Sequence, residues 1–570
     1  MRAVTSRRVT FAAGESVVAP LAWGQYAIWK PLQWFGDETQ SFNLTRSFTL
    51  ADGVTEDRFA DGVRRLVEEH ASLRTRFVAG EQHIAGAGEL GVALHPLDGA
   101  DPAERAAEIA TSMAADSFDL TSEWPVRIAG IVSPEGHVVA VSLVASHVGV
   151  DSWALVSLGD DLRDLLEAPE RTPAPAVRWD ALRQLEFEAS PAGKRVESSS
   201  LSHWAARLRL APASMFDFPQ APSDGLPIHR YRLVSRAVAA AAPIVATRSR
   251  ASVSTVLLTV AASWLAAYCG HDTAAFQLIA GNRFDPQSRA LRAPTAQDGL
   301  FVLPVPDGDL SAAARTVLPI AARGYLNARY HPERLAELKA EIGAARGVRF
   351  DLSAYFNDVR RDGDWAPPLP DATPADLAAL REQSTFTQFP SLPRHDMKFM
   401  VNFNYLGAEG CGILLLTDAR YLPAPAGERF LRGLELILCT AVHEELTVAE
   451  AVQLVGVEPA ARDADWVRTA TGWVHVPAAR ALLADAVPDR PTAVFCRPAA
   501  DPELTELVGY VAGDAPESLV DLHRRVVAAL PERPGVATPD EYVVCRAPQG
   551  VAEADWAASA VLSRGSGRTG

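Results

Sequence analysis

The chain has 570 residues, of which 48% are apolar and 22% are charged. This composition is typical of a globular protein with more than one packed domain, and it excludes a disordered chain, a collagen-like fibre and a coiled-coil rod. The formal charge of −16 leaves no overall positive field, so neither a nucleic acid nor a membrane surface is expected as a partner.

The cysteines and the N-terminus indicate the compartment. The five cysteines have no Cys-x-x-Cys spacing, so they predict no thiolate metal site, and their odd number fits a reducing environment. Residues 1–20 begin with basic side chains but lack the continuous apolar segment of a secretory signal. We therefore expect a cytoplasmic protein that is not exported and has no thiolate metal site.

Helical and strand patterns alternate along the first part of the chain. Thr55 and the two acidic residues after it predict the start of a helix that runs towards Leu73. His137–Ser146 is a β-branched apolar run of strand length, and residues 151–166 return to helical spacing. This alternation predicts mixed α/β lobes.

Three proline-rich segments interrupt the pattern, at residues 168–177, 211–227 and 365–394. We interpret the first as a connector between two lobes and the second as a loop. The third holds six of the 40 prolines and is interpreted as a long surface excursion within the second lobe.

The most apolar stretch, Val253–Cys269, is too short and too rich in Ser and Thr for a typical membrane span, and Gly270 follows it. It predicts a buried helix. After about residue 456 the pattern changes to short apolar runs and one helix at 518–530. This change predicts a small separate α+β domain over residues 460–562.

The most informative stretch is SHVGVDS, residues 146–152, between the predicted strand and the predicted helix. A histidine at a strand end is held by the sheet yet can face a cleft, and its near-neutral pKa suits removal of a proton from an amine or alcohol. His147 is the candidate catalytic group. Asp151 either fixes the surroundings of His147 or caps the helix.

Several segments, in the right order, resemble the condensation domains of nonribosomal peptide synthetases, which share the fold typified by chloramphenicol acetyltransferase. Gln25 and Trp29 follow a Pro-Leu pair as in the opening motif of that family. The resemblance covers about residues 15–457. The other matching segments are EEHASLRTRF (68–77), SHVGVDS (146–152), SHWAARL (202–208), GHDTAAFQLIAGNRFD (270–285), QDGLFVLPVP (297–306) and VNFNYLG (401–407).

The resemblance implies an α/β fold, an α+β sandwich, in which two chloramphenicol acetyltransferase-like lobes form a V-shaped pseudo-dimer. The lobes would span residues 15–180 and 181–457 and would face a channel entered by carrier proteins, with His147 at its middle. Asp151 is carried over as a structural partner of Arg283, and Arg74 as a further support of the site. Tryptophans 23, 29, 153 and 204 are expected to pack in the core rather than to stack on substrate.

Three positions depart from the family pattern. Ser146 replaces a histidine that is mainly structural in the family, and Ser152 replaces a glycine beside the expected reaction centre, which bears on substrate choice. Glu69 replaces an arginine of an internal ion-pair network, so that network is either rebuilt or degraded.

Asn404 is a further candidate residue of the channel. It either faces the channel together with Ser146 and Ser152, or it satisfies backbone groups.

The stretch after residue 460 resembles the small C-terminal subdomain of adenylating enzymes. The family's Leu-Val-x-Tyr-Val strand is present at Leu507–Val511, but residues 549–551 stand where the catalytic lysine loop is expected. An apolar side chain cannot stabilise developing phosphate charge, so this domain is read as degenerate and adenylation is not expected. It either docks a carrier protein or another enzyme, or is a retained packing element of the neighbouring lobe.

The resemblance implies a free-standing acyltransferase of nonribosomal peptide biosynthesis, in antibiotic and other secondary metabolism. It would join an acyl or aminoacyl thioester, presented in trans on the phosphopantetheine of a carrier protein, to a small-molecule or carrier-bound amine or hydroxyl acceptor. No cofactor, metal or nucleotide of its own is expected. The rival hypotheses are a non-catalytic platform that docks carrier proteins, a coenzyme A-dependent acyltransferase and an epimerase variant.

Overall fold

The computed structural model describes residues 4–36, 38–168, 179–222, 225–360, 372–532 and 534–568. These residues form a mixed α/β structure. Its strands are β1 (Thr5–Ala12), β2 (Val17–Pro20), β3 (Asn43–Thr55), β4 (Thr75–Val78), β5 (Glu81–Ile84), β6 (Ala87–Pro96), β7 (Val126–Val132), β8 (His137–Ser146), β9 (Ile228–Ser235), β10 (Thr273–Ala280), β11 (Gln297–Pro304), β12 (Ala354–Asp358), β13 (Thr385–Leu392), β14 (Phe399–Tyr405), β15 (Cys411–Asp418), β16 (Trp466–Thr469), β17 (Gly472–His475), β18 (Thr492–Pro498), β19 (Thr505–Ala512), β20 (Glu541–Cys545) and β21 (Val561–Gly565).

The helices alternate with these strands along the chain. They are α1 (Trp23–Phe35), α2 (Glu56–Glu69), α3 (Pro102–Ala114), α4 (Ser152–Glu167), α5 (Ala181–Ala189), α6 (Pro191–Leu208), α7 (Arg236–Ser249), α8 (Val253–Cys269), α9 (Pro286–Ala290), α10 (Leu310–Leu326), α11 (Pro332–Arg346), α12 (Pro374–Glu382), α13 (Ala424–Ala441), α14 (Val448–Leu454), α15 (Val476–Ala486), α16 (Leu519–Ala528) and α17 (Glu553–Ala557).

The chain forms two compact units. Unit 1 comprises Met1–Ser199, Gly281–Gln297 and Arg329–Pro332, and unit 2 comprises the remainder, including the C-terminal strands and helices. The lobes predicted from the sequence are continuous segments, whereas unit 1 takes up two short segments from later in the chain.

Unit 1 is built on a five-stranded sheet in the order β1-β6-β7-β8-β3. Only β6 and β7 are parallel within it, and α3 forms the crossover between them. In β8, Val141 and Leu143 pack in the same cluster as α2 and α4, while Ala140 and Val144 pack in clusters with α3. Both faces of β8 are therefore covered, which explains its nearly continuous apolar sequence.

The predicted helices and strand of unit 1 are confirmed. The Thr55 hydroxyl accepts a hydrogen bond from the Arg58 amide at 3.3 Å, and α2 ends at Glu69, before a 3-10 turn over Ala71–Arg74. Strand β8 has the predicted bounds, and α4 begins directly after Asp151. The sequence order strand, turn, helix is thus the structural order around His147.

Unit 2 contains a seven-stranded sheet in the order β11-β10-β12-β14-β15-β9-β13. Helix α8 is buried over most of its length, as predicted. Within the described ranges, no single helix is long and apolar enough to cross a membrane; α7 and α8, bent by 97° at their junction, pass that test only as a pair and only by length and composition.

The C-terminal part of unit 2 has its own hairpin, β16-β17, and a four-stranded sheet, β18-β19-β20-β21. Helix α16 begins after its N-cap, Ser518, where the sequence predicts a helix. The core of this part also takes in Val348, with Ala213 and Phe350 packed against it. The C-terminal strands therefore share a core with the rest of unit 2.

The predictions for the three proline-rich segments differ in their outcome. The connector predicted at 168–177 lies, apart from residue 168, outside the described residues. The loop prediction is confirmed for residues 211–222 and 225–227, which form no helix or strand. The surface excursion predicted at 365–394 is wrong for residues 372–394, because Pro374 begins α12 and Pro390 lies in β13, an edge strand. Proline is accepted at both positions, since neither requires its missing amide hydrogen.

The tryptophan prediction holds only in part. Trp23 and Trp204 are buried, at 7% and 0% exposure, and Trp29 is half-buried. Trp153 is 40% exposed, so its assignment to the core is wrong. It occupies the second position of α4, where the helix has only begun to pack on the sheet.

Candidate active site

His147 lies on a tight turn between β8 and α4. The amides of Gly149 and Val150 donate to the Ser146 carbonyl at 2.9 and 3.3 Å. The His147 amide donates to the carbonyl of Phe42 at 3.1 Å. Hydrogen bonds at both ends of the turn thus fix the backbone that carries the imidazole.

Side chains on either side of His147 also hold the turn. Val148 and Val150 are each 0% exposed and belong to different core clusters of unit 1. Gly149 lies against Pro125, where an added Cβ would approach the proline Cβ to 3.0 Å. His147 itself is half-buried, so its ring is positioned by a rigid support and keeps access to solvent.

The imidazole of His147 has a defined tautomer when it is neutral. Its Nδ1 lies 3.1 Å from the carbonyl oxygen of Val150. Because a carbonyl oxygen only accepts, Nδ1 carries the hydrogen and Nε2 keeps its lone pair. The Nε2 atom is therefore available as a proton acceptor.

Asp151 caps helix α4 and forms a buried ion pair with Arg283. Its Oδ1 accepts from the Ala154 amide at 2.8 Å, and Arg283 Nη2 lies 2.7 Å from both carboxylate oxygens. Oδ2 also accepts from the amide of Thr295 at 3.1 Å. The structure thus brings together Asp151 and its expected partner Arg283, and shows Asp151 as the cap of α4. Its predicted role in fixing the surroundings of His147 stays a prediction.

Arg283 is bound on its other donors as well. Nη1 donates to the carbonyls of Ser288 and Leu291 at 2.6 and 2.7 Å, and Nη2 donates to the carbonyl of Ala293 at 2.9 Å. The guanidinium therefore organises residues 281–297 around the start of α4. The predicted support that Arg283 gives to the reaction centre stays a prediction.

The other predicted site residues of unit 1 are Ser146, Ser152 and Arg74, and they differ in burial and contacts. Ser146 is buried at the end of β8, and Ser152 is exposed as the first residue of α4. Arg74 is buried and donates from Nη1 to the carbonyl of Ala85 at 2.5 Å. Burial lowers the pKa of Arg74, against the charge of Asp180. Arg74 is thus held by the connection between β5 and β6. Its predicted support of the site stays a prediction.

Asn404 belongs to unit 2, in strand β14, whereas His147 belongs to unit 1. Its side chain lies over Gly412 of the neighbouring strand, because a Cβ added there would be 2.2 Å from Asn404 Oδ1. Its predicted place in a substrate channel stays a prediction.

A second ion-pair cluster near the end of α2 was not predicted. Asp161 Oδ2 lies 3.3 Å from His70 Nε2 and 3.0 Å from Arg292 Nε. Burial raises the pKa of Asp161, but the hydrogen bonds and charges of these two partners outweigh it and lower the pKa to about 2. His70 follows Glu69, the residue that departs from the family pattern. Its position in the EEHASLRTRF segment was the available signal.

No group of three or more His, Cys, Asp or Glu side chains suited to a metal ion occurs in the described part of the chain. All five cysteines lie within that part and are free thiols.

Comparison with known proteins places this site in a family. The model of the condensation domain family matches residues 18–305, which is just over half of the chain. The chain therefore belongs to the condensation domain family. Nonribosomal peptide synthetase 4 of Gibberella zeae is 29% identical over 185 residues, which are 30% of this chain and 2% of that protein. The chain thus spans only a small part of that relative.

Solved structures share the fold. The condensation domain of the monacolin K polyketide synthase MokA has a TM-score of 0.58 and 14% identity, over 76% of this chain and all of that one. A structure concerned with condensation domain-mediated chain release from the enacyloxin polyketide synthase has a TM-score of 0.56 and 18% identity, over 74% and 82%. SgcC5 of Streptomyces globisporus has a TM-score of 0.55 and 16% identity, over 75% and 99%. The α/β fold is that of the condensation domains.

Proposed function

We propose that this chain is a free-standing condensation-type acyltransferase of nonribosomal peptide biosynthesis. It forms an amide or ester bond between a carrier-bound acyl or aminoacyl thioester and an amine or hydroxyl acceptor. The observation that carries the proposal is the His147 turn, where the Nδ1 contact to Val150 leaves Nε2 as a proton acceptor. Membership of the condensation domain family supports the reaction class.

In the proposed step, the acceptor nitrogen or oxygen attacks the thioester carbonyl carbon while its proton passes to Nε2 of His147. The carbonyl electron pair moves to oxygen, returns as the carbon–sulfur bond breaks, and leaves a thiolate. The proton on the imidazolium then neutralises the thiolate, so the products are the amide or ester and a thiol. General-base assistance contributes on the order of 10²–10⁴-fold, and positioning of the two substrates supplies much of the rest.

We propose that the donor arrives on the phosphopantetheine arm of a carrier protein acting in trans, in the cytoplasm. Five free cysteines agree with a reducing compartment. Residues 460–562 are proposed to be a degenerate adenylation subdomain, either retained for packing or used for docking. The core that these residues share with Val348 favours the packing role.

The test is to incubate the protein with acyl-loaded carrier proteins and candidate acceptors, and to follow each carrier by intact mass. Wild type should unload the donor carrier and yield the condensed product, and H147A should be slower by about 10²-fold or more. H137A is the matched control, because His137 is exposed at the opposite end of the same strand. It should retain wild-type turnover.

The outcomes separate the rival functions. Full transfer by H147A would overturn the proposed role of the imidazole. Carrier binding without transfer by wild type would identify a docking platform. Faster transfer from acyl-coenzyme A than from the loaded carrier would identify coenzyme A, rather than a carrier protein, as the bearer of the acyl donor. Exchange of deuterium at the donor α-carbon without condensation would identify an epimerase.

A further inference from the structure

A cavity of about 260 Å³ lies within unit 1 and is lined by residues of α1, α5 and the segment 282–297. Three aromatic side chains line it: Trp23 of α1, Trp179, which precedes the N-cap of α5, and Phe187 of α5. Thr295 separates it from Asp151, since this residue lines the cavity and its amide donates to the Asp151 carboxylate. His147 is not a lining residue, so the cavity is distinct from the proposed reaction centre.

The cavity wall is closely fitted where α1 begins. A Cβ added to Gly24 would lie 2.3 Å from the carbonyl oxygen of Pro294, so only glycine permits this approach. Helix α1 therefore sits directly on residues 281–297. Helix α1 and residues 281–297 thus form adjoining parts of the cavity wall.

One acidic side chain, Glu188 of α5, is buried at the cavity wall with 7% exposure. Its carboxyl group accepts from the Trp23 amide, at 3.3 Å on Oε1 and 3.1 Å on Oε2, and from Gln184 Nε2 at 2.9 Å on Oε1. Within the described residues these are two donors for a group with about four acceptor sites. Oε2 thus retains capacity for another donor.

Among the described residues, no positively charged side chain contributes to the pKa shift of Glu188. Burial raises its pKa to about 7, the two hydrogen bonds oppose this rise, and the negative charge of Glu197 adds to it. Arg329 also lines the cavity; burial lowers its pKa, and the charge of Asp285 on the same wall opposes that shift. A buried carboxylate without a cation is stabilised either by a proton or by a cationic ligand.

We infer that this cavity is a binding site for a small organic ammonium ion, held by the Glu188 carboxylate and the faces of Trp23, Trp179 and Phe187. Aromatic faces attract cations through the ring quadrupole, and a carboxylate supplies the counter-charge. The cavity has room for a ligand of the size of choline. Neither the turn of His147 nor acyl transfer is part of this inference.

The alternative is that Glu188 only caps α1. Its contact with the Trp23 amide would serve that purpose, because α1 has no side-chain cap at Ala22. A helix cap needs neither aromatic walls nor a cavity. If Glu188 serves only as a cap, the protein should bind a cation no more tightly than the neutral isostere of that cation. Ligand selectivity therefore decides between the two.

The experiment is titration of the full chain with choline and with 3,3-dimethylbutan-1-ol, its neutral isostere, by isothermal calorimetry. Choline should bind at least about tenfold more tightly than the alcohol. The charge of choline does not titrate, so its affinity should rise about tenfold from pH 6 to pH 8 as Glu188 ionises. Equal affinity for both ligands, no choline binding at millimolar concentration, or the opposite pH trend would overturn the inference.

Variants locate the binding. E188Q keeps the side-chain shape and an oxygen for the α1 cap, and should abolish both the preference for choline and its pH dependence. F187L tests the aromatic wall with the carboxylate intact and should weaken choline binding. E186Q is the matched control, because Glu186 is exposed on the same helix and paired with Arg183. Thermal unfolding of each variant establishes that it is folded.

Other charged groups around Glu188 need controls. Glu197, Asp285 and Arg329 face it or its cavity, and the amide of His331 donates to Glu197 at 3.0 Å. Imidazole can change charge near neutral pH, so H331Q is included. If H331Q removes the pH dependence while E188Q keeps it, the assignment to Glu188 is wrong. H147A should bind choline as wild type does, which keeps this test independent of the proposed acyl transfer.

Discussion

Arg283 Nη2 lies 2.7 Å from both carboxylate oxygens of Asp151, and both side chains are almost fully buried. Asp151, four residues after His147, is the N-cap of α4, so the ion pair connects residues 281–297 to the start of this helix. A buried pair of this kind is strongly destabilising to break from one side, since the remaining charge stays buried and uncompensated.

The first prediction concerns this pair. D151A and R283A should each lower the free energy of unfolding by about 3–5 kcal/mol, measured by urea denaturation. The double variant should lose clearly less than the sum, because it leaves neither charge unpaired. Additive losses would show that the two side chains act independently, through α4 capping and through the carbonyls of residues 288–293.

The second prediction concerns the turn of His147. G149A places a methyl group 3.0 Å from Pro125 Cβ, so Pro125 or the turn must move by a few tenths of an ångström. We expect turnover to fall, but by less than the roughly 10²-fold that a misplacement of about 1 Å can cause, while the fold is retained. Turnover is measured with loaded carriers and folding by circular dichroism.

G91A is the control for that variant. Gly91 lies on β6 and a Cβ there meets nothing within 4 Å. It should leave turnover unchanged. If G149A is as active as G91A, the position of the imidazole does not depend on the close fit of the turn.

The region around His147 could be predicted because its signals are local. The apolar run of β8 ends at Ser146, and Asp151 is both the helix cap and the fourth residue after His147. Strand, turn and helix each have a pattern within about ten residues of sequence. The resemblance added Arg283, which is 132 positions away from Asp151.

Other features depend on contacts that no local pattern encodes. Residues 281–297 belong to unit 1 although the chain before and after them belongs to unit 2, so the roles of Arg292 and Thr295 were missed. By sequence alone Pro374 and Pro390 favour a loop, because a helix start and an edge strand are recognised only once their neighbours are known.

The third prediction concerns Asp161 and acid pH. Its pKa is about 2 in the folded chain and about 3.9 in an unfolded one. A depressed carboxyl pKa contributes stability that is present above the unfolded value and lost as pH falls through the folded value. With allowance for solvent screening, we expect a contribution of about 1–2 kcal/mol that disappears between pH 4 and pH 2.

Urea unfolding of wild type and D161N between pH 2 and pH 6 measures this contribution. The stability difference between them should be constant above about pH 4 and shrink below it. D160N is the control, because Asp160 is the adjacent residue with a side chain 48% exposed. A difference that grows towards acid pH would contradict the depressed pKa of Asp161.

The fourth prediction concerns Asp217, which joins the C-terminal part to the rest of unit 2. Its buried carboxylate lies 2.8 Å from His271 Nε2 and 3.2 Å from Arg462 Nη2, and it accepts from the Trp473 amide at 2.8 Å. The Arg462 guanidinium also lies 4.5 Å from the Trp473 ring centroid. One carboxylate thus anchors both the chain entering the C-terminal part and its first hairpin.

D217A should expose residues 466–475 to faster amide hydrogen exchange and lower the free energy of unfolding by about 3–5 kcal/mol, because Arg462 loses its buried counter-ion. D272N is the control, since Asp272 pairs with Arg468 of the same hairpin but has a side chain 76% exposed; it should change stability by less than about 1 kcal/mol. If D217A leaves exchange in the hairpin unchanged, the shared core around Val348 alone holds the C-terminal part in place. In that case the packing role proposed for residues 460–562 would depend on apolar contacts and not on this ion-pair cluster.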